Sequence, residues 1–468
     1  MRSSVCVTRR LILFAAALAS LLGAAIAAQA RFTSYAETRD TLTALADILP
    51  PELKSVDAAG PQSAWTEWVQ RQDQTIRSRL QRGDEETIVN WLLFGTTFTK
   101  LPRVPLDTAG TSAMDDAQRA KLIAARATDL VAALAVPGQD ERRLFAQQLF
   151  VKEGYKTASA ADRARLLVHV NELVQSVIAE RAALTREIQA IRQAGDASDQ
   201  FAAQSKLFRD RGLSLDTSFR PSFALEQALV QLRQRGLLKA GAVRDVAVIG
   251  PGLDFTDKTS GYDFYPQQTM QPFALIDSLV RVGLITDPSS IRLTTLDISP
   301  RVNDHLTRSR QRAAAGQPYR IRLPLDRDVK WKPPVLDYWR AAGDRVGTVT
   351  APARATVAGA NVDVRTVSVR PAVALRIEPL DLNIVAQRSD KHRFDLVVAT
   401  NVFVYYDVLE QALALANVHS MLKPGGLLLS NNALLELPSS GMRSVGYVTV
   451  EYSDARDDGD HVVWYQAK

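Results

Sequence analysis

The sequence predicts an α/β fold, an open and largely parallel sheet, preceded by an all-α region. Three apolar runs in the second half of the chain carry that expectation: residues 245–252 (DVAVIGPG), 293–297 (LTTLD) and 394–401 (FDLVVATN). Each is short, rich in Val and Leu and set between helical patterns, as buried parallel strands are. Each also ends in residues able to hold a ligand: Gly250 and Gly252, then Asp297, then Thr400 and Asn401. In open α/β sheets, ligands sit at the carboxyl ends of the strands.

Residues 1–30 have the layout of an export signal. Arg9 and Arg10 precede an apolar stretch over 11–28, and Ala28-Gln29-Ala30 forms a small-x-small cleavage pattern. An uncleaved membrane anchor is the other reading, since the stretch just reaches spanning length. The expectation is an exported protein, periplasmic or in the cell envelope, with no membrane span beyond this leader. The only cysteine, Cys6, lies in the leader. Disulfide and thiolate chemistry is therefore not expected of residues 31–468.

Residues 31–240 read as a helical domain. Apolar residues recur every three or four positions over 64–80, 85–94, 116–134, 142–150 and 162–193. A further helix is expected over 221–238, with Pro221 at its start. From residue 241 onward short strands alternate with helices. Strand one is placed at 246–249, a helix at 272–282, strand two at 292–296 and a helix at 300–315. Residues 320–370 suggest only a short helix at 335–342 and a strand at 362–369. Strand three is placed at 373–377, running toward Asp381, and strand four at 394–399. A helix at 408–422, a Lys-Pro-Gly-Gly turn and strand five at 427–430 follow. Residues 447–452 and 462–465 alternate around Asp457-Asp458-Gly459-Asp460, a hairpin signal.

Phe394-Asp395-Leu396-Val397 through Asn401, then a helix, then Leu422-Lys423-Pro424-Gly425-Gly426-Leu427, with the terminal hairpin after it, resembles the class I S-adenosylmethionine-dependent methyltransferases. The resemblance covers residues 241–468. It implies a Rossmann-like seven-stranded sheet with a C-terminal antiparallel hairpin, and S-adenosylmethionine as cofactor. The run from Thr400 to Asp407 is similar to that of chemotaxis-receptor methyltransferases, with Thr400 where those have arginine. An Asn-Pro-Pro-aromatic signature is absent, which argues against DNA amine methylation.

The resemblance implies roles for particular residues. Gly250 and Gly252 match the glycine turn against the amino-acid part of the cofactor, where a backbone must come close. Asp254 stands where a third glycine is usual, and Val248 where an acidic residue is common; Asp254 is the candidate carboxylate for the cofactor ammonium. Asp297, ending strand two, is the candidate for the ribose hydroxyls; a helix-capping Asp is the plainer reading. Asp381 is the candidate for adenine, with Glu378 as fallback. Thr400 also faces the cofactor. Asn401, Tyr405 and Tyr406 are the candidate catalytic residues, positioning an acceptor beside the transferring methyl group; as plain structure, the tyrosines are core or rim aromatics. The long loop over 254–271, with Tyr262, Asp263, Phe264, Tyr265 and Gln268, reads equally as a lid or as a packed surface insertion. Residues 91–98 and 210–220 are further candidates for the substrate side.

Other classes are disfavoured. Of 57 basic and 51 acidic residues, Arg2, Arg9 and Arg10 belong to the leader, leaving 54 against 51 and no concentrated basic stripe. No nucleic-acid partner is expected. The histidines are scattered without ligand spacing, so no metal site is expected. Two alternatives to a methyltransferase of unknown acceptor stay open. One is a catalytically inactive binding or regulatory protein on the same fold. The other is an aminopropyl-transferring relative, which would use Asp254, Asp257 and Asp263 to hold an amine.

Overall fold

A computed structural model describes residues 30–54, 60–105, 114–193, 212–256, 262–355, 361–455 and 458–468. Residues 1–29, nearly all of the expected leader, and Asp257 lie outside these residues. The centre is a seven-stranded sheet. Its strands are β1 (Asp245–Ile249), β2 (Arg292–Asp297), β3 (Ile377–Asp381), β4 (Phe394–Ala399), β5 (Leu422–Ser430), β6 (Met442–Glu451) and β7 (Gly459–Ala467). The spatial order is β6-β7-β5-β4-β1-β2-β3. Strands β1 to β5 pair in parallel, and β7 runs antiparallel to both β5 and β6. This is the sheet expected from the sequence, with the terminal hairpin folded back as its edge.

Alternation along each strand divides the core between two faces. Val246 and Val248 of β1, Leu396 and Val398 of β4 and Trp464 of β7 point to one face. There they meet α6 (Arg220–Gln234), α7 (Gln271–Arg281) and α8 (Pro300–Ala314). Ala247, Ile249, Val397, Ala399 and Tyr465 point to the other. That face is covered by α10 (Val408–Met421) and by apolar residues of α1 (Tyr35–Ala44) and α2 (Pro61–Phe94), among them Leu42, Trp65, Trp68 and Ile76. A third cluster joins the C-terminal part of α2 to α3 (Asp116–Ala135), α4 (Glu141–Lys152) and α5 (Ala160–Gln193). The chain near Arg31 is laced to the sheet region. Residues Arg31–Phe32 pair antiparallel with Gln387–Arg388, and Arg31 forms ion pairs with Glu37 and Asp390.

Three local expectations need correction. The patterns over 64–80 and 85–94 form one continuous helix, α2. Gly83 does not break it; the missing side chain lets another segment pass, since a Cβ there would lie 1.9 Å from the Leu213 carbonyl oxygen. Residues 373–377 are not strand three. Pro371–Ala374 is a helical turn and the strand is Ile377–Asp381. Pro371 sets a helical start, and a short buried apolar run does not by itself distinguish helix from strand. Residues 320–370 hold more strand than expected. Strands Tyr319–Asp326, Gly347–Val349 and Ala353–Arg354 all pair antiparallel with Val362–Val369, with helix α9 (Pro333–Ala341) between the first two. This small sheet is inserted between α8 and β3.

Candidate functional site

The turn after β1 sets the site. Gly250 and Gly252 have φ of +62° and +65°, a region that costs any residue with a Cβ. The Gly250 N–H donates to the Leu296 carbonyl at 2.9 Å, tying the turn to β2. A Cβ on Gly250 would lie 2.7 Å from Val402 Cγ2, and one on Gly252 would lie 2.6 Å from the Leu215 carbonyl oxygen. The atoms crowding these two glycines are thus the protein's own. Residues 212–218 lie across the turn as a strap. Leu253 N–H donates to the Leu215 carbonyl at 2.8 Å and Thr217 N–H to the Leu253 carbonyl at 3.3 Å. Gly252→Ala meets both the dihedral cost and a backbone oxygen that cannot yield alone. Expected is a loss of about 2 kcal/mol or more, read by denaturant unfolding, with new protease cleavage around 212–218. An unchanged midpoint would remove the strap from the account of this glycine.

Between the strap and the carboxyl ends of the strands lies a cleft enclosing about 870 Å³, open solvent included. Gly250 and Gly252 from β1, Asp297 from β2, Leu382 and Ile384 beyond β3, and Thr400, Asn401, Tyr405 and Tyr406 beyond β4 all line it, with Asp216 of the strap opposite. Asp297 Oδ1 accepts the Ser299 N–H at 2.8 Å, while Oδ2 is buried with no hydrogen-bond partner. Burial pushes this carboxyl up to about 7, with the Asp381 charge adding to the rise. The Ser299 and Gly252 N–H groups and the Arg301 charge act against it. A buried carboxylate oxygen of this kind calls for a donor, from a water or from a ligand.

Thr400 is fixed by Gln271 of α7, whose Nε2 donates to Thr400 Oγ1 at 2.5 Å. Asn401 has a φ of +56°, the only positive value outside glycine among the described residues. Asn tolerates that region better than most residues, and such backbone collects at functional sites. Asn431, just beyond β5, holds the conformation. Asn401 N–H donates to Asn431 Oδ1 at 2.7 Å, and Asn431 Nδ2 donates back to Asn401 Oδ1 at 2.9 Å. Tyr406 is buried, which raises its phenol pKa and keeps it protonated. The Tyr405 carbonyl accepts from Arg79 of α2 at 2.9 Å.

Two candidate residues lie off the cleft wall. Asp254 is fully buried and turned toward Gln268, which donates from Nε2 at 2.9 Å. Asp381 pairs with Asp297 in strand register, but its side chain is half exposed and held by Arg77 of α2 at 2.7 Å. The apolar Leu382 and Ile384 take the cleft wall there instead; Glu378, on β3 opposite Thr294, is not part of it either. In the long loop, described from residue 262, Tyr262, Asp263, Phe264, Tyr265 and Gln268 do not line the cleft. Asp263 is docked against α2, accepting from Trp91 Nε1 at 2.8 Å and from the N–H and hydroxyl groups of Thr96 and Thr97 at 2.7–3.0 Å. Trp91 and Phe98 are buried in the helical core rather than at the cleft.

The most telling sequence string serves the sheet rather than the cleft. Asp395 Oδ2 accepts the N–H groups of Arg244 and Asp245, and Lys423 Nζ bridges Asp245 and Asp395 at 2.9 and 2.8 Å. These contacts lace the starts of β1, β4 and β5, at the end of the sheet away from the cleft. Asp216 was not singled out in the sequence. Its only signal was its place within 210–220, and its contact with the turn spans a long stretch of chain.

Residues 354–435 match the family model described as CheR methyltransferase, SAM binding domain. The match takes in β3, β4 and α10; the glycine turn and Asp297 precede it. Over 73 residues the chain is 34% identical to the chemotaxis protein methyltransferase Cher2 of Pseudomonas putida, 15% of this chain and 26% of that one. Over 74 residues it is 38% identical to the hybrid PKS-NRPS synthetase traA of Penicillium crustosum, 16% of this chain and 2% of that one. The chain thus spans about a quarter or less of the length of these relatives. Similar solved structures include the N-methyltransferase NodS of Bradyrhizobium japonicum with S-adenosyl-L-homocysteine, at 16% identity and a TM-score of 0.27, covering 62% of this chain and 98% of that one. The glycopeptide N-methyltransferase MtfA with S-adenosyl-L-methionine aligns at 13% identity and a TM-score of 0.26, covering 51% and 94%. The C-terminal region of this chain, over residues 354–435, carries an S-adenosylmethionine-binding methyltransferase domain of the CheR family.

Proposed function

We propose that this protein is an S-adenosylmethionine-dependent methyltransferase whose cofactor lies in the cleft between β1, β2, β4 and the strap. One observation carries the reading: the buried Asp297 carboxylate at the end of β2, with one oxygen lacking a partner. Such an oxygen accepts a ribose hydroxyl, the use given to the acidic residue in dinucleotide folds. The donor set fits the cofactor elsewhere as well. Leu382 and Ile384 offer an apolar slot for adenine, and the turn at Gly250 and Gly252 exposes backbone to the amino-acid end. S-adenosylmethionine supplies an electrophilic methyl group on a sulfonium. Asn401 and Tyr405, at the lip after β4, hold and orient the acceptor, a task in which position counts for most of the rate. Tyr406 stays protonated and so donates rather than abstracts a proton.

The test is thermal unfolding of the full chain with S-adenosylmethionine and with its demethylated product. Ligand at about a hundred times its dissociation constant adds about 2.7 kcal/mol, a shift of several degrees that Asp297→Ala removes. No shift at millimolar ligand would end the reading.

A second reading, a binding or regulatory protein without turnover, is supported by the export pattern over 1–30. An exported chain meets little S-adenosylmethionine unless it is loaded beforehand. A mature N-terminus at Arg31 in periplasmic protein supports that reading, provided the loaded protein transfers no methyl group to cell-envelope extracts. An intact Met1 in cytoplasmic protein returns it to catalysis.

A further inference from the structure

A second cavity lies beyond the end of the strap and encloses about 490 Å³, open solvent included. Five aromatic residues wall it: Phe219 and Phe223 at the start of α6, Tyr262, Trp331 just before α9, and Trp339 of α9. Ser218, the last residue of the strap, lines both this cavity and the cleft, so the two adjoin there. The polar tips of the rings are committed inside the protein. Trp331 Nε1 donates to the Asp326 carbonyl at 2.7 Å, Trp339 Nε1 to the Leu323 carbonyl at 3.2 Å, and the Tyr262 hydroxyl to Asp326 Oδ2 at 3.0 Å. The charged groups among the described lining residues, Asp326 and Arg220, are engaged too. Asp326 Oδ1 accepts the Asp328 N–H at 2.9 Å. Arg220 pairs with Asp458 at 2.5 Å and lies over the Trp331 ring, 4.6 Å from its centroid. What the cavity offers a guest is ring surface and apolar side chain.

We propose that this cavity holds the ring of the methyl acceptor, and that the acceptor is a small neutral aromatic compound bearing a hydroxyl or an amine, of the phenol or aniline type. This rests on the cleft being the cofactor site. Aromatic walls favour an aromatic guest, because offset and edge-to-face ring pairs add to what apolar burial gives. Rings pinned by their own hydrogen bonds are preorganised, which lowers the cost of binding. The cavity is little more than half the size of the cleft, which suits a single ring rather than a large body.

The cavity wall is also tied to the lip of the cleft. Arg220 lies over a second ring, Tyr452, 5.9 Å from its centroid. The Tyr452 hydroxyl donates to Asp460 Oδ2, and Asp460 Oδ1 accepts from Asn431 Nδ2 at 3.2 Å. Asn431 is the residue that holds Asn401 in its left-handed conformation. With the ring seated beyond Ser218, the nucleophilic atom faces the cleft. Transfer breaks the bond between the sulfonium sulfur and the methyl carbon, and its electron pair stays on sulfur. The acceptor oxygen or nitrogen supplies the pair for the new bond to carbon and gives up its proton to water.

The experiment is an NMR titration of the full chain, loaded with S-adenosylhomocysteine, with phenol and with cyclohexanol. The two probes share a hydroxyl and a six-membered ring and differ in aromaticity. Phenol is expected to bind about tenfold more tightly, the effect of about two ring pairs. Trp331→Leu should weaken phenol by about fivefold and leave S-adenosylhomocysteine within about twofold, which also shows that the variant folds. Phe219→Leu, on the opposite side of Ser218 in the chain, gives the same comparison should Trp331→Leu not fold. With S-adenosylmethionine in place of the product, an interligand NOE is expected between the phenol ring and the transferring methyl group. Equal affinity for the two probes, or no phenol binding, overturns the aromatic assignment without any variant. Phenol affinity unchanged in both variants puts the ring elsewhere and overturns it as well. Phenol bound without the interligand NOE leaves a ligand cavity but overturns the acceptor role. Failure of wild type to bind S-adenosylhomocysteine while phenol still binds overturns the cofactor reading, and the acceptor role with it.

Discussion

Asp263→Ala is expected to destabilise the protein by about 4 kcal/mol, one of the largest effects of any single substitution here. The carboxylate is 1% exposed and gathers the Trp91 indole N–H together with the N–H and hydroxyl groups of Thr96 and Thr97. Removing it leaves several buried donors without acceptors, each costing ~1–3 kcal/mol before relaxation. Asn is no remedy, because half of its amide would point N–H groups at N–H groups. Burial alone would raise the Asp263 pKa. The Thr97 hydroxyl, the Thr96 and Thr97 N–H groups and the Arg142 charge outweigh it and hold the carboxyl below the ordinary value. A depressed carboxylate contributes its stability above the unfolded value of about 4 and loses it as pH falls through the lower folded value. The gap between wild type and Asp263→Ala should therefore be constant near neutrality and close only in strong acid. Urea unfolding at two pH values reads it. A gap below ~1 kcal/mol at pH 7 would show that the loop is not anchored by this residue.

That anchor illustrates what the sequence could and could not disclose. The central sheet was legible because parallel strands buried on both faces are written as unbroken apolar runs, as in Val246 to Ile249 and Leu396 to Ala399. Asp297 and Asn401 were legible because each directly ends such a run. The inserted sheet was not. Only its strand at 362–369 was expected; Tyr319–Asp326 alternates with Arg320 and Arg322, so its polarity reads as surface loop. The strap was illegible for another reason. Its position depends on Gly83 meeting Leu213 and Gly252 meeting Leu215 across long separations, and no local pattern records such meetings. The glycines were read as making room for a ligand, whereas each makes room first for the chain itself. Asp263 looked like part of a lid or of a packed surface insertion, because the five donors that bury it lie on α2 and just beyond its end.

The second large effect concerns Asp297 and proton uptake. Burial raises this carboxyl to about 7, so near neutrality it is divided between its neutral and charged forms. The sign of its linkage to folding is opposite to that of Asp263. Between the unfolded value of about 4 and the folded value the native state holds the extra proton, so this group's contribution to stability falls as pH rises through that window. Ligand binding runs the other way. A ribose presents hydroxyl donors, which favour the charged form, so a bound nucleoside lowers the pKa and binding expels a proton. Affinity should then be about tenfold weaker at pH 6 than at pH 8, with close to one proton released per ligand at pH 6. The probe should be 5′-methylthioadenosine rather than S-adenosylmethionine, because an α-amino group titrates at about 7.7–8.0 and would add its own slope. Calorimetry in buffers of different ionisation enthalpy counts the proton directly. Asp297→Asn should bind ~10–100-fold more weakly at pH 8 and show no slope between pH 6 and 8. A wild-type affinity that is flat across that range would mean that Asp297 is already charged in the free protein, and that its unpartnered oxygen is met by something other than the nucleoside.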